Sequence, residues 1–191
     1  GEKKQKKLNK ISKREDYFLV VSRLEKYKNV DLAVRACNIA KIPLVVVGDG
    51  GELKYLTEIA GPTVNFLGKV GDDELVRLYL QAKAFIFPVK NEDFGITPIE
   101  SQSFGCPVIA HRSGGAMETV IDGKTGLFFD RLEAHLLAEI LREFDSSMFR
   151  DTDCIANAAR FSKEVFTKKI IFEITKLLGC DSLTITMNVN N

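Results

Sequence analysis

Short apolar runs recur along this chain almost without a polar break, and longer stretches between them are apolar only at every third or fourth position. The runs are YFLVVS (17–22), PLVVVG (43–48), VNFLG (64–68), AFIFP (84–88), PVIA (107–110) and GLFF (126–129). Runs of this length, rich in β-branched and aromatic residues, read as strands covered on both faces. The stretches between them, 29–41, 51–60, 72–82, 96–104 and 115–121, carry helical spacing with Gly, Asn or Asp near each start. Strand and helix alternating in this way predict right-handed crossovers between parallel strands. The fold expected is α/β: a Rossmann-like doubly wound parallel sheet of about six strands. After Asp130 the pattern is helical only (132–144, 151–160 and 161–178), which adds C-terminal helices to that sheet. The expected division is a basic linker or arm over 1–16, a domain over 17–178 and a tail over 179–191.

Ligands of such sheets sit beyond the carboxyl ends of the strands, near the reversal in strand order. The loops to inspect are therefore 22–29, 48–51, 68–72, 88–96 and 111–115. Arg23 and Lys28 follow the first strand, just before a helix that Asn29 could cap. Two cations beside a helix start suit a diphosphate, with charge-assisted hydrogen bonds of about 1.5–3 kcal/mol each. They also suit plain solvated surface. Gly48-Asp49-Gly50-Gly51 closes the second strand, either as a tight turn or as a place where backbone approaches a ligand.

The fourth loop is NEDFGITPIE (91–100). Thr97-Pro98-Ile99-Glu100 matches a capping box with Pro98 at the first helical position. Glu92 beside Asp93 is a like-charged pair with no evident stabilising purpose. Gly95 lets the backbone turn so that the amides of 95–97 point outward as an anion site, flanked by carboxylates that could accept from sugar hydroxyls.

Charge and composition narrow the field. The 191 residues are 45% hydrophobic and 28% charged, with a net charge of +1, which argues against nucleic acid as partner. No apolar run approaches the roughly 18–20 residues of a membrane span, and no signal-peptide pattern appears, so a soluble, cytoplasmic protein is expected. Seven Lys/Arg and no acid lie between Lys3 and Arg14. That run reads as a solvated arm, or else as a peripheral contact with an anionic membrane surface. Cys37, Cys106, Cys154 and Cys180 are scattered and read as reduced structural thiols; with only His111 and His135 besides, no metal site is expected. Asp151-Thr152-Asp153 lies between helices and reads as capping residues. His111 ends the fifth strand, as a polar strand end or a donor contact.

The E-D-F-G-I-T-P-I-E segment resembles the E-x7-E motif of GT-B glycosyltransferases, family GT4. The resemblance extends through S-R-L-x-x-Y-K-N-V-D (22–31), V-V-G-D-G (46–50), F-L-G-K-V (66–70), S-F-G-C-P-V-I-A (103–110), G-G-A-M-E-T-V (114–120) and D-G-K-T-G-L-F (122–128). The wording of 92–100 is most similar to O-antigen-type mannosyltransferases that use GDP-mannose. The resemblance implies a retaining transferase with a nucleotide-sugar donor and no cofactor or metal. It implies that Arg23 and Lys28 hold the diphosphate, that Glu92 contacts the donor sugar, and that Phe94, Gly95, Ile96 and Thr97 present backbone to sugar and phosphate. Gly48 joins the donor site, Glu100 grips the ribose, and Lys69 and Val70 flank the base. Asp72 is either a base contact or an N-cap. Only the second of the two GT-B domains is matched, so an N-terminal domain with the acceptor site is the expected partner, and the apolar face of 161–178 is expected to be exposed. The rival readings are a non-catalytic nucleotide-sugar-binding module and a nicotinamide-binding domain. The second lacks its glycine fingerprint, since Ser22-Arg23-Leu24 follows the first strand.

Overall fold

The computed structural model of the chain describes residues 14–178. Six parallel strands form one sheet: β1 (Phe18–Val21), β2 (Leu44–Val47), β3 (Val64–Gly68), β4 (Ala84–Phe87), β5 (Val108–His111) and β6 (Gly126–Phe129). Their order across the sheet is β3-β2-β1-β4-β5-β6, so the direction of winding reverses between β1 and β4. The crossover helices are α1 (Val30–Ala40), α2 (Leu53–Ile59), α3 (Asp72–Gln81), α4 (Ile96–Ser103) and α5 (Ala116–Thr119). Three more follow β6: α6 (Ala134–Glu143), α7 (Asp151–Ala159) and α8 (Lys163–Leu178). Every expected strand and helix is present. The largest trimming is at 115–121, where the helix is a single turn.

The continuous apolar strands divide their side chains between two cores, as the pleat requires. Phe18, Val20, Leu44, Val46, Ile86 and Ile109 face one core with α1 and α6. Leu19, Val47, Phe85, Phe87, Val108 and Ala110 face the other with Tyr79 of α3 and Ala116 of α5. On this second side a buried polar network fixes α4. Asn157 of α7 donates to Gln102 Oε1 (2.6 Å) and to the Thr119 carbonyl (2.8 Å), while Gln102 donates to the carbonyls of Pro98 and Thr119. Both side chains are buried with their amides satisfied, which favours one orientation of α4 over others.

Ordered packing begins earlier than the pattern predicts. The expected arm lies outside the described residues up to residue 13, but its last three residues are tied down. Arg14 donates to the carbonyls of Ala82 (3.0 Å) and Gly105 (2.7 Å) and pairs with Asp151 (2.8 Å). Asp16 pairs with Lys83 (3.0 Å). A planar guanidinium can satisfy several acceptors at once, and no local pattern in a basic run announces which cation will do so. The Asp151-Thr152-Asp153 stretch opens α7 with Arg150, not an aspartate, at the cap; both carboxylates are ion-paired, Asp153 to Arg150 at 2.8 Å. Along α8 the expected exposed apolar residues are present: Phe166, Ile170, Phe172, Ile174 and Leu177. Among the described residues no helix is long and apolar enough to cross a membrane. The expected tail, with Cys180, lies outside the described residues.

Cys37, Cys106 and Cys154 are buried and free. Burial pushes the thiols of Cys37 and Cys154 up to about 12 and that of Cys106 up to about 11. The thiolate is the reactive species. Iodoacetamide at pH 8 is therefore expected to leave all three unmodified in the folded protein and to label them in denaturant. Labelling of any of them at the rate of a free thiol under native conditions would contradict this packing.

Candidate functional site

Because β1 and β4 are neighbours, paired Phe18 to Ala84 and Leu19 to Phe85, the loops leaving their carboxyl ends emerge side by side. The loop after β1 passes through a 3₁₀ turn, Lys26–Lys28, and reaches Asn29 in a left-handed conformation (φ 51°). Asn29 does not cap α1 with its side chain. Its amide instead donates to the Pro88 carbonyl at 3.1 Å, fastening the β1 loop to the β4 loop. A capping residue ordinarily has extended backbone, and with Asn29 left-handed the cap expected from sequence gives way to a cross-loop tie.

The β4 loop carries the acids. Asn91 is also left-handed (φ 57°), and Gly95 (φ 77°) occupies the cap position of α4. Lys28 Nζ and Glu92 Oε2 form an ion pair at 2.6 Å, with the side chains only 13% and 26% exposed. The Lys28 ammonium also lies 4.8 Å from the centre of the Tyr27 ring, whose hydroxyl accepts from Arg23 Nη2 at 3.1 Å. Arg23, Tyr27, Lys28 and Glu92 thus form one chain of contacts across the switch point. The N–H groups of Gly95, Ile96 and Thr97 open α4 and have no partners in its i→i−4 ladder.

Beneath the acidic loop lies the turn after β5. Gly115 N–H donates to the Glu92 carbonyl at 2.7 Å. A Cβ on Gly114 would lie 2.3 Å from the Glu92 carbonyl oxygen, and one on Gly115 would lie 2.3 Å from that of Phe94. Both glycines let two backbones touch. Asn91, Glu92, Asp93, Gly114, Gly115, Met117 and Glu118 line an open depression of ≈ 560 Å³. His111, at the end of β5, is buried with its ring edge-on to Phe129, and burial holds its imidazole below the usual histidine value.

The capping box is corrected by the structure. Gly95 turns the chain into the helix, so Ile96 is the first helical residue, Thr97 the second and Glu100 the fifth, and no side chain caps α4. Pro98 still falls in the first turn, where its missing N–H costs nothing. Glu100 is exposed and accepts from the Tyr79 hydroxyl at 3.3 Å. Asp72 is likewise not an N-cap: Gly71 holds that position and Asp72 is the first residue of α3, in an acidic first turn. Lys69 is exposed and Val70 half-buried against the second core, both in the loop after β3. Phe94 and Ile96 are exposed, and Phe94 meets Phe161 edge-on at 5.7 Å. Among the described residues no cluster of three or more His, Cys, Asp or Glu could hold a metal ion.

Gly48 has a structural reason of its own. At φ 128° its Cβ would lie 1.8 Å from the Ser22 carbonyl oxygen, and a Cβ on Gly50 would lie 2.4 Å from that of Leu24. Sequence reasoning missed Tyr27 and Ser113 as members of the site. A tyrosine between two lysines and a serine in a glycine turn carry no local signal of their contacts.

The family model described as "Glycosyl transferases group 1" matches residues 1–161. Over 110 residues the chain is 36% identical to a GDP-mannose-dependent alpha-mannosyltransferase of Corynebacterium glutamicum, covering 58% of this chain and 26% of that protein. It is 28% identical over 188 residues to the human alpha-1,3/1,6-mannosyltransferase ALG2, covering 84% and 45%. It is 33% identical over 132 residues to a glycogen synthase of Xanthomonas campestris, covering 65% and 28%. The pneumococcal O-GlcNAc transferase GtfA, solved with UDP and GlcNAc, shares the fold with a TM-score of 0.75 at 20% identity, covering 87% of this chain and 37% of that one. The chain spans about half the length, or less, of the curated relatives it matches.

Proposed function

The chain belongs to the Glycosyl transferases group 1 family, and from that premise we propose that it binds the donor of a retaining transferase that moves mannose from GDP-mannose to a glycan or lipid-linked acceptor. The observation that carries the reading is the Lys28–Glu92 pair at the β1/β4 switch point, with Arg23 joined to it through Tyr27 and the start of α4 beside Glu92. Breaking the sugar–phosphate bond adds one negative charge to a nucleoside diphosphate that already carries two. Stabilising that charge is the largest task facing this half of the enzyme. Arg23 and Lys28 supply fixed positive charge, and the unladdered amides of Gly95, Ile96 and Thr97 supply oriented dipoles. This set needs no resident metal ion.

Glu92 serves the sugar rather than the phosphate. Its carboxylate accepts from hydroxyls of the hexose and stabilises positive charge as the leaving group departs, with acceptor attack on the face the diphosphate has left. Glu100 takes the ribose hydroxyls, and Lys69 and Val70 after β3, with Asp72 at the start of α3, take the base. The acceptor site belongs to an N-terminal domain outside this chain. The mannose assignment is supported by the two mannosyltransferase relatives and by the wording of 92–100.

Titration calorimetry of the chain with GDP, UDP and ADP tests the assignment. GDP is expected to bind several-fold more tightly than the other two, with GDP-mannose close to GDP. Clear preference for UDP would remove mannose and leave the transferase reading standing. A second reading, a nucleotide-sugar-binding module without catalysis of its own, follows from the single domain matched. Mixing the chain with a separately produced N-terminal domain separates the two: transfer recovered only in the mixture supports the enzyme.

A further inference from the structure

We infer that Ser113 is a positioning residue for Glu92, holding the left-handed turn at Asn91 that aims its carboxylate at the donor sugar. The inference rests on the donor-binding reading above. Ser113 Oγ makes two close contacts. It accepts from the Asn91 N–H at 3.1 Å, and it lies 2.8 Å from Nδ1 of buried His111. The Val89 carbonyl lies further off, at 3.5 Å. His111 is fixed in turn by its packing on Phe129, so the hydroxyl is anchored on the rigid end of β5 rather than on the loop it serves.

Asn91 is where that anchoring matters. Its φ of 57° lies in the left-handed region, which asparagine tolerates better than most L-residues but which still needs contacts to hold it in one place. The constraint arrives from both sides of Glu92. Ser113 takes the N–H of the residue before it, and Gly115 N–H donates to the carbonyl of Glu92 itself. A carboxylate on an exposed loop samples many directions; one held at these two points emerges toward Lys28, at 2.6 Å. Ser113 meets the depression through the Asn91 N–H and makes no hydrogen bond to Glu92's carboxylate, so its effect on that carboxylate runs through the backbone. The glycines supply the fit and the serine supplies the tether.

The test compares GDP with GDP-mannose binding by calorimetry in Ser113→Ala, Ser113→Thr and Glu92→Gln. Because Glu92 faces the sugar, Ser113→Ala is expected to weaken GDP-mannose binding about five- to tenfold relative to GDP. Ser113→Thr, which keeps the hydroxyl, is expected to restore wild-type discrimination. In a Glu92→Gln background Ser113→Ala should have no further effect on the ratio, since the two act through one group. Equal weakening of both ligands by Ser113→Ala, or full additivity with Glu92→Gln, would reduce the serine to a general structural role and overturn the inference. If wild type binds neither ligand, the donor-binding reading itself has failed, and that outcome is separate from the others.

Discussion

Gly48→Ala is expected to destabilise the domain by about 3–5 kcal/mol, a large part of the roughly 5–15 kcal/mol that holds a typical domain folded. Two costs combine. A φ of 128° is open to glycine and closed to alanine, worth about 1–3 kcal/mol of strain. The added Cβ would also stand 1.8 Å from the Ser22 carbonyl oxygen, an overlap only backbone displacement can relieve, at about 1–3 kcal/mol more. Displacement is resisted on both sides. Gly48 N–H is bonded to the Gly68 carbonyl at 2.8 Å, and Ser22 N–H to the Val47 carbonyl at 3.0 Å. Gly71→Ala makes the control, because a Cβ there meets nothing within 4 Å and its φ of −75° is ordinary. It should change stability by less than about 1 kcal/mol. Urea unfolding of the two variants reads the difference; a Gly48→Ala midpoint indistinguishable from wild type would mean that the strand ends are not locked together.

Gly48 also marks the boundary of what the sequence could tell. The six apolar runs and the helices between them were legible because a strand buried on both faces admits few polar residues, and a crossover helix must show a 3.6-residue period. The candidate site was legible at the level of loops, since a parallel sheet dictates which loops emerge together at the carboxyl ends of its strands. Within the loops, side chains were legible only as types. Glycine at 48 reads equally well as ligand approach or as strand closure, and the Cβ clash with Ser22 gives the closure a sufficient cause. Thr97 and Glu100 fit a capping pattern, but the backbone of Gly95 had already begun the helix. Lys28 and Glu92 stand 64 residues apart in sequence, and their pairing follows only once β1 and β4 are known to be neighbours. Local propensity carries no information about such a contact. The same holds for Ser113 and Asn91, joined across the β4 and β5 loops.

That pairing sets opposite expectations for its two members. Lys28→Ala should weaken GDP binding by about 10- to 100-fold, the worth of a charge-assisted hydrogen bond of roughly 1.5–3 kcal/mol. Glu92→Gln should tighten it, by roughly tenfold, because Lys28 is paired with a carboxylate at 2.6 Å that would compete with a diphosphate. Both side chains are largely shielded from water, so the contact to be broken is stronger than a surface pair would be. Removing the lysine also leaves Glu92 without its cation in a shielded site, and part of the Lys28→Ala effect can surface as lost stability. Lys28→Met with Glu92→Gln separates these: the double variant is neutral at both positions, should regain stability, and should still bind GDP weakly. Transfer by the complete enzyme should fall with either single substitution, since the proposed function gives the lysine to the leaving group and the glutamate to the sugar. Should Glu92→Gln weaken GDP to the same extent as Lys28→Ala, the carboxylate does not compete with the diphosphate for Lys28.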